Sequence, residues 1–274
     1  MQDFNIVDNT LIRYNGNDTK VCIPNSVKKI IKTSFVSKNS ITCVEVPESV
    51  KRIDDEAFCK CKSLRSVIIN GGNKKIRPFA FYSCTKLDQV YFNGNVEDWF
   101  TLNIFPNGSP MFNGAYLYVN NALLSNLTVP PSVTIIRQNA FVGCLSLEML
   151  TVKDNVDEIQ EAAFLNCQSL KTVSIAGSVK TISSNAFYNC SALENVELCE
   201  GIKKIEQFAF DRCSSLKRIQ IPDSVESIAY QAFPRETTLI IKNNKVALKY
   251  AKRNKLNYEI IERKSFLKSF FRFR

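Results

Sequence analysis

The chain has 274 residues, 45% of them hydrophobic and 23% charged, and its formal net charge is +10. It contains no histidine, so the commonest general base, metal ligand and activator of a serine or cysteine nucleophile is missing. No apolar run approaches the roughly 18 residues of a membrane span, and the N-terminal residues lack the basic and apolar stretches of a signal peptide. We therefore expect no transmembrane segment, and the cytoplasm is the favoured location.

The first 26 residues predict an N-terminal β cap. Three short strands are expected at residues 4–7, 11–14 and 20–23. A meander of this kind would cover the open edge of the first repeat, because an unpaired strand edge invites aggregation.

Residues 27–241 repeat with a period of 23, which indicates a solenoid of about eight units. Each unit has an Ala-Phe pair, an isoleucine five residues before the phenylalanine and a leucine six residues after it. The terminal units depart from this pattern because one side of each has no neighbour. The phenylalanines of the pairs are Phe58, Phe81, Phe141, Phe164, Phe187, Phe210 and Phe233.

Each unit also predicts one strand and one tight turn. Val173 and Ile175 should point inward, while Thr172 and Ser174 should point outward, because side chains alternate along a strand. The residues before each phenylalanine, such as 183–187, are too few for a full helix and predict a helical or 3-10 turn.

Six cysteines stand three residues after a phenylalanine of the repeat. We expect a column of buried thiols, because a small and mostly apolar side chain suits a tight corner. Disulfides between neighbouring coils are the alternative, since a strand spacing of about 4.8 Å lies within their range. Cys59 and Cys61 lack the spacing of a zinc site, so no metal or cofactor is predicted. The six are Cys61, Cys84, Cys144, Cys167, Cys190 and Cys213.

An insertion at about residues 95–126 lengthens the step from Phe81 to Phe141 to 60 residues. It predicts a short helix capped by Asn95 that holds the only tryptophan, Trp99, followed by a hairpin. One interpretation is a structural joint between two halves of the solenoid. The other is an excursion that contacts a ligand, because loops on a rigid scaffold often carry function.

The repeat resembles the BspA-like leucine-rich repeat family. The residues that carry the resemblance are Ala209-Phe210-Asp211-Arg212-Cys213, the segment 216–222 and the step from Val225 to Ile228. It spans about residues 20–262 and implies an α/β leucine-rich repeat solenoid, a curved, β-rich stack of parallel strands with short helical or 3-10 turns. The resemblance also implies binding or adhesion rather than a reaction. It implies a surface or secreted location as the alternative to the cytoplasm, although the family's frequent signal peptide is not seen.

The basic character of the chain lies at its C-terminus. Residues 242–274 hold 11 of the 36 Lys and Arg but 2 of the 26 Asp and Glu, which leaves a balance of +1 for the rest. We expect a cap helix and strand at 242–262 and a basic aromatic tail at 263–274. The segment Lys264–Arg274 predicts contact with an anionic membrane surface; a solvated tail, a tail folded back on the solenoid and a protein partner are the alternatives. Because the solenoid itself is nearly neutral, no nucleic acid is expected.

The outward positions of the strands form the candidate binding face. They are small and mostly neutral, which suits protein or glycan contact, and they bring together no nucleophile and base. The candidate residues are Ser66, Ile68, Gln89, Tyr91, Met149, Thr151, Thr172, Ser174, Asn195, Glu197, Arg218 and Gln220.

A second candidate site is a basic ridge formed by pairs of cations in three successive units. It could meet a phosphate or an acidic protein, and a solvated outer edge is the alternative. The pairs are Lys28 and Lys29, Lys51 and Arg52, and Lys74 and Lys75.

These features predict a non-enzymatic module for protein–protein interaction or adhesion. The alternative is peripheral membrane binding through the basic C-terminal segment. A histidine-free glycosidase that uses carboxylates alone is a distant third class.

Overall fold

The computed structural model describes residues 3–72 and 74–261, and within them the chain forms 24 strands and two helices, numbered here in chain order. The first part contains β1 (Phe4–Val7), β2 (Thr10–Tyr14), β3 (Lys20–Cys22), β4 (Lys29–Ile30), β5 (Cys43–Val46), β6 (Arg52–Ile53), β7 (Ser66–Asn70), β8 (Lys75–Ile76), β9 (Gln89–Asn93), α1 (Val96–Phe100), β10 (Asn103–Ile104), β11 (Tyr116–Val119), β12 (Ala122–Leu123) and β13 (Asn126–Thr128). The remainder contains β14 (Ile135–Ile136), β15 (Met149–Val152), β16 (Glu158–Ile159), β17 (Thr172–Ile175), β18 (Thr181–Ile182), β19 (Asn195–Leu198), β20 (Lys204–Ile205), β21 (Arg218–Ile221), β22 (Ser227–Ile228), β23 (Thr238–Ile241), α2 (Lys245–Asn254) and β24 (Tyr258–Ile260).

The longer strands stack into parallel sheets along one side of the coils. Their order is β12-β11-β9-β7-β5-β3 in the first sheet, β13-β15-β17-β19 in the second and β21-β23-β24 in the third. Val173 of β17 lies opposite Val196 of β19, one repeat away. Val173 and Ile175 are buried, whereas Thr172 and Ser174 are partly exposed, so the predicted inward and outward alternation is confirmed. We call the outward side of these sheets the strand face.

A second set of sheets has the orders β1-β2-β4-β6-β8-β10 and β14-β16-β18-β20-β22. Apart from β1 and β2 at its N-terminal end, each strand in this set has two residues and pairs in parallel. Ile30, Ile53 and Ile76 pair in register across three of them and are fully buried. The periodic isoleucine therefore marks the second wall of the solenoid. Each coil closes its core between these two walls.

The turn before each phenylalanine is not helical, so the predicted helical or 3-10 turn is wrong. In the coil at 183–190, the backbone amides of Ala186, Tyr188 and Cys190 each donate a hydrogen bond to the carbonyl oxygen of the residue three positions earlier. The alternating amides, those of Asn185, Phe187 and Asn189, instead donate to carbonyl oxygens of the next coil. Both asparagines have a φ of 58°, a conformation that asparagine tolerates better than most residues. A 3-10 turn would use all of these amides within one coil, whereas here every second amide ties two coils together.

The phenylalanines form a continuous stack inside each half of the solenoid. Phe187 is fully buried between Phe164 and Phe210, with ring centroids 5.3 and 5.2 Å apart and ring planes within 4°. The stack in the first half begins at Tyr14, which lies 5.4 Å from Phe35. Parallel rings at this separation add to the stabilisation gained from burial.

The repeat cysteines form the predicted buried column. The thiol of Cys190 lies 3.2 Å from the carbonyl oxygen of Phe164 in the preceding coil, and the thiol of Cys213 lies 3.1 Å from that of Phe187. Burial raises the pKa of the Cys190 thiol well above its ordinary value, so the group stays protonated and can donate this hydrogen bond. Cys144 bonds to Ser146 instead, because the insertion separates its coil from that of Phe81.

The helix of the insertion serves as the joint between the two halves. Asn95 caps α1 and forms a capping box with Asp98, as the sequence predicts. Trp99 is buried, donates from Nε1 to the carbonyl oxygen of Ala140 at 3.0 Å and lies 6.1 Å from the Phe141 ring. The indole also lies 5.3 Å from the Phe92 ring, so it links the aromatic core of the first half to that of the second, as the structural interpretation of this part of the insertion predicts.

The predicted hairpin is shorter than expected. β11 joins the first sheet by pairing in parallel with β9, and only β12 returns antiparallel to it. The following strand, β13, pairs in parallel with β15 and starts the second sheet. Regular repeats on both sides offer ladders to these strands, so most of the hairpin is drawn into the two sheets.

The two ends also depart from a simple cap. β2 and β3 do not pair as a meander, because β2 joins β4 and β3 joins β5 in parallel. Only β1 runs antiparallel, beside β2. At the other end α2, capped by Asn244, packs Ala247, Tyr250 and Ala251 against the last coil. The predicted tail at 263–274 lies outside the described residues.

We expect Phe187→Ala to lower the free energy of unfolding by about 3–5 kcal/mol, because it removes a buried ring that touches a ring on each side. Urea denaturation followed by circular dichroism measures the change. Thr172→Ala, at an outward position of a neighbouring coil, is the control and should change it by less than about 1 kcal/mol. Equal losses in the two variants would contradict the assigned register.

Candidate functional site

All twelve predicted residues of the strand face are accessible to solvent, and Met149, Asn195, Glu197, Arg218 and Gln220 are the most exposed. The face is nevertheless not one surface, because the long sheet is interrupted twice. The first sheet holds Ser66, Ile68, Gln89 and Tyr91; the second holds Met149, Thr151, Thr172, Ser174, Asn195 and Glu197; the third holds Arg218 and Gln220.

An uncharged row of four side chains crosses the first sheet, and we call it the aromatic stripe. Ile68 lies opposite Tyr91, Tyr91 opposite Tyr118, and Tyr118 opposite Leu123. The two tyrosine rings stack with centroids 4.8 Å apart and an interplanar angle of 18°. Tyr116, on the same strand as Tyr118, is 45% exposed, and Leu123 is 46% exposed. The stripe is therefore an apolar patch with hydroxyl groups at its surface.

Polar residues border the aromatic stripe. Glu45 lies opposite Ile68 and ends the stripe on the N-terminal side. Its carboxylate accepts from the amide of Asn70 at 2.7 Å, and Asn70 in turn accepts from Asn93 at 2.8 Å. The Tyr91 hydroxyl donates to Gln89 at 3.2 Å. This arrangement, with apolar groups in the centre and satisfied polar groups at the edge, is typical of protein interfaces.

The far end of the strand face has a different character. β19 and β21 share no ladder, although the second wall and the phenylalanine stack continue across the same step. A shallow cleft of about 350 Å³ lies there, lined in part by Asn195, Arg218 and Gln220. Arg218 is engaged, because its guanidinium donates two hydrogen bonds of 2.7 and 2.6 Å to Glu259. The exposed cation that the sequence offers for binding is thus paired with an acid.

Tyr116 and Tyr118 were missing from the face predicted by the sequence. The repeat period does not reach them, because the insertion places them 27 residues after Gln89 and Tyr91, their partners in the ladder. The signal that identifies them is the alternation of Tyr116-Leu117-Tyr118-Val119, which matches the outward and inward pattern of β9.

The predicted basic ridge is only partly formed. Lys29, Arg52 and Lys75 lie in one row across β4, β6 and β8. Asp54, which is almost buried, forms ion pairs with both Lys29 and Arg52. Lys28 and Lys51 are exposed beside this row. One carboxylate therefore offsets part of the positive charge of the ridge.

Lys74 does not belong to an exposed ridge, which corrects that part of the prediction. It is fully buried, and its Nζ donates to the carbonyl oxygens of Pro47, Glu48 and Val50 at 3.2, 3.2 and 2.8 Å. Burial, together with the charge of Lys51, lowers the pKa of the Lys74 ammonium to about 8. Gly72, which stands two residues before Lys74, lies directly against α1. A Cβ at this position would come within 2.4 Å of the Asp98 carbonyl oxygen.

Other coils use neutral side chains for the same task as Lys74. Ser178 donates to the carbonyl oxygen of Val156 at 2.7 Å, and Asn244 donates to those of Pro222 and Val225, both at 2.8 Å. The outer turn of one coil is thus regularly satisfied by a polar side chain of the next. Lys74 is the cationic member of this series, so its role is structural.

Six copies of the BspA type leucine rich repeat region match residues 6–107 and 114–240. The chain belongs to the BspA-type leucine-rich repeat family. As the family description implies and the coils show, the chain is a leucine-rich repeat module. A search of curated proteins gave no match.

Solved structures that this BspA-type chain matches include a leucine rich cell surface protein from Faecalibacterium prausnitzii, at 21% identity over 94% of this chain and 91% of that one, with a TM-score of 0.36. A leucine-rich repeat protein from Bacteroides ovatus matches at 18% identity over 94% and 97%, with a TM-score of 0.41. The pneumococcal vaccine antigen PcpA matches at 16% identity over 89% and 81%, with a TM-score of 0.45.

In residues 3–72 and 74–261, no three His, Cys, Asp or Glu side chains are grouped as metal ligands. In the same ranges, no helix has the length and apolarity needed to cross a bilayer.

Lys74 makes stability depend on pH in a defined direction. Its folded pKa of about 8 lies below the value of about 10.4 expected in the unfolded chain, so between these values the unfolded state binds more protons and stability rises with pH. We expect the unfolding free energy of the wild type, relative to Lys74→Met, to rise by about 2–3 kcal/mol from pH 7.5 to pH 10. Urea denaturation at both pH values measures it.

Lys75→Met is the matched control, because Lys75 is the exposed neighbour of Lys74. The difference in unfolding free energy between Lys75→Met and the wild type should stay constant over the same pH range. A difference between wild type and Lys74→Met that does not change with pH would contradict the buried, partly neutralised amine.

Proposed function

We propose that this module is a non-catalytic binding protein that holds a protein partner on its strand face, with the aromatic stripe as the centre of contact. The observation that carries this proposal is the stacked pair Tyr91 and Tyr118, which stands on a rigid parallel sheet between Ile68 and Leu123.

The energetics of interfaces support this choice. A few residues dominate most protein interfaces, and tyrosine is among the types most often found there. Stacking holds the rings of Tyr91 and Tyr118 in place before a partner arrives, so little side-chain entropy is lost on binding. Glu45 already accepts a hydrogen bond from Asn70, so this carboxylate is partly satisfied within the chain and lies at the edge of the stripe rather than in its apolar centre.

The ring geometry favours a protein over a glycan. Binding to a sugar by stacking needs an open aromatic face, whereas here the two rings cover each other at 4.8 Å. What the stripe offers to solvent is ring edges, two hydroxyl groups and the aliphatic side chains of Ile68 and Leu123. Such a surface complements apolar side chains and backbone amides of a protein.

The double variant Tyr91→Ala/Tyr118→Ala should weaken binding of the partner by at least about 30-fold, which is the loss expected from a single anchor worth about 2 kcal/mol. Immobilised wild type and variant are compared by quantitative capture from cell-surface and lysate fractions. The affinity of a captured protein for each is then measured by biolayer interferometry.

The control is Thr151→Ala/Thr172→Ala, which alters two outward residues of the second sheet and should bind like the wild type. Thermal melts of both variants should stay close to that of the wild type. Capture that survives loss of both tyrosines would contradict the proposal. A glycan array on which the wild type binds and the tyrosine variant does not would replace the protein partner with a carbohydrate.

A further inference from the structure

The C-terminal cap concentrates positive charge, whereas the solenoid before it carries nearly equal numbers of cations and acids. Along the coils, Lys171 pairs with Glu148, and Lys203 pairs with Glu226. We define the C-terminal cap as residues 242–261. Among the described residues none of its six cations forms an ion pair, and its one acid, Glu259, is engaged by Arg218. The six are Lys242, Lys245, Lys249, Lys252, Arg253 and Lys255, all exposed.

Helix α2 gathers four of these cations on one face. Ala247, Tyr250 and Ala251 face the last coil and are buried. With 3.6 residues per turn, Lys245, Lys249, Lys252 and Arg253 lie on the opposite side of the helix. The helix therefore turns an unbroken positive face to solvent.

The same cap exposes apolar side chains. Among the described residues, β24 is the edge strand of its sheet, and Ile260 lies opposite the buried Ile241 with no described strand on its other side. As a result Ile260 is 56% exposed, Ile261 45% and Tyr258 38%. Large apolar groups beside uncompensated cations are the combination that binds at a lipid headgroup boundary.

A cleft of about 290 Å³ opens between α2 and the end of β22. Tyr230, Lys249, Arg253 and Asn254 line it, together with apolar atoms of Ile228 and Val246. None of the described residues that line it is acidic. Its size and charge suit an anionic headgroup, with the two cations beside the phosphate and Tyr230, 62% exposed, at the rim.

We propose that the C-terminal cap docks the solenoid on an anionic lipid bilayer. The positive face of α2 meets the headgroups, Ile260 and Ile261 enter the boundary with the acyl chains, and the cleft at Lys249 and Arg253 takes one headgroup. This goes beyond the proposed function, because it uses the end of the solenoid and leaves the strand face free for a protein partner.

Sedimentation of the full chain with vesicles tests the proposal. Binding should be strong to phosphatidylcholine with about 30 mol% phosphatidylserine, weak to phosphatidylcholine alone and lower when salt rises from about 0.1 to about 0.5 M. Each cation beside an anionic leaflet strengthens binding about fivefold. Lys249→Gln/Arg253→Gln should therefore weaken it about 25-fold, and Ile260→Ser should weaken it at both salt concentrations.

Two controls remove equal charge from elsewhere in the same full chain. Lys62→Gln/Lys86→Gln removes two exposed cations from the first half of the solenoid and should bind like the wild type. Lys264→Gln/Lys268→Gln changes residues that follow the cap in the sequence. Vesicle binding by this variant should still fall when Lys249 and Arg253 are also replaced. Thermal melts check that each variant is folded.

Several outcomes would overturn the proposal. If the wild type binds equally to neutral and anionic vesicles, the positive face of α2 does not direct the contact. A loss of binding in Lys264→Gln/Lys268→Gln, with normal binding in Lys249→Gln/Arg253→Gln, would assign the contact to residues beyond the cap. Light scattering that shows a dimer lost in Ile260→Ser, without any vesicle binding, would assign the apolar end to a second copy of the chain.

Discussion

The structure depends on one constraint, that each coil is completed by the coils on either side of it. A single coil has too few residues to enclose its own phenylalanine, so the ring of Phe187 is covered by Phe164 and Phe210. The same dependence holds for the backbone, where the Phe187 amide donates to Ala209, and for the thiol of Cys190, which bonds to Phe164. Stability in such a stack is a sum over neighbouring interfaces, and all three contacts cross those interfaces.

The insertion shows how strictly the stack must be maintained. Trp99 lies between Phe92 of the first half and Phe141 of the second, and its indole donates to the carbonyl oxygen of Ala140, 41 residues away. In every coil the inward-facing side chains are therefore required for packing in the core. Outward positions are free of that demand, and the insertion places Tyr116 and Tyr118 there. The residue that joins the two halves and the residues proposed to bind a partner therefore come from one segment.

The sequence predicted well whatever the repeat period encodes. The Ile, Phe, Cys and Leu columns, and the outward positions such as Thr172 and Ser174, follow directly from spacing. What it could not predict arises where contacts do not repeat. Lys74 is buried beside a turn that α1 crowds at Gly72, Tyr118 joins the face through an irregular strand, and Arg218 is paired with Glu259 from the cap. The conformation of the turns at Asn185 and Asn189 was not predicted for another reason. Successive amides there donate alternately within the coil and to the next coil, and no residue pattern specifies this alternation.

We expect the partner to contact the aromatic stripe on the strand face. Replacing Tyr118 with a photoreactive phenylalanine analogue tests it most directly, because crosslinking reports contact rather than stability. The captured partner should crosslink at position 118 and not at position 230, an exposed tyrosine of the C-terminal end. Crosslinking at position 230 with none at position 118 would contradict it.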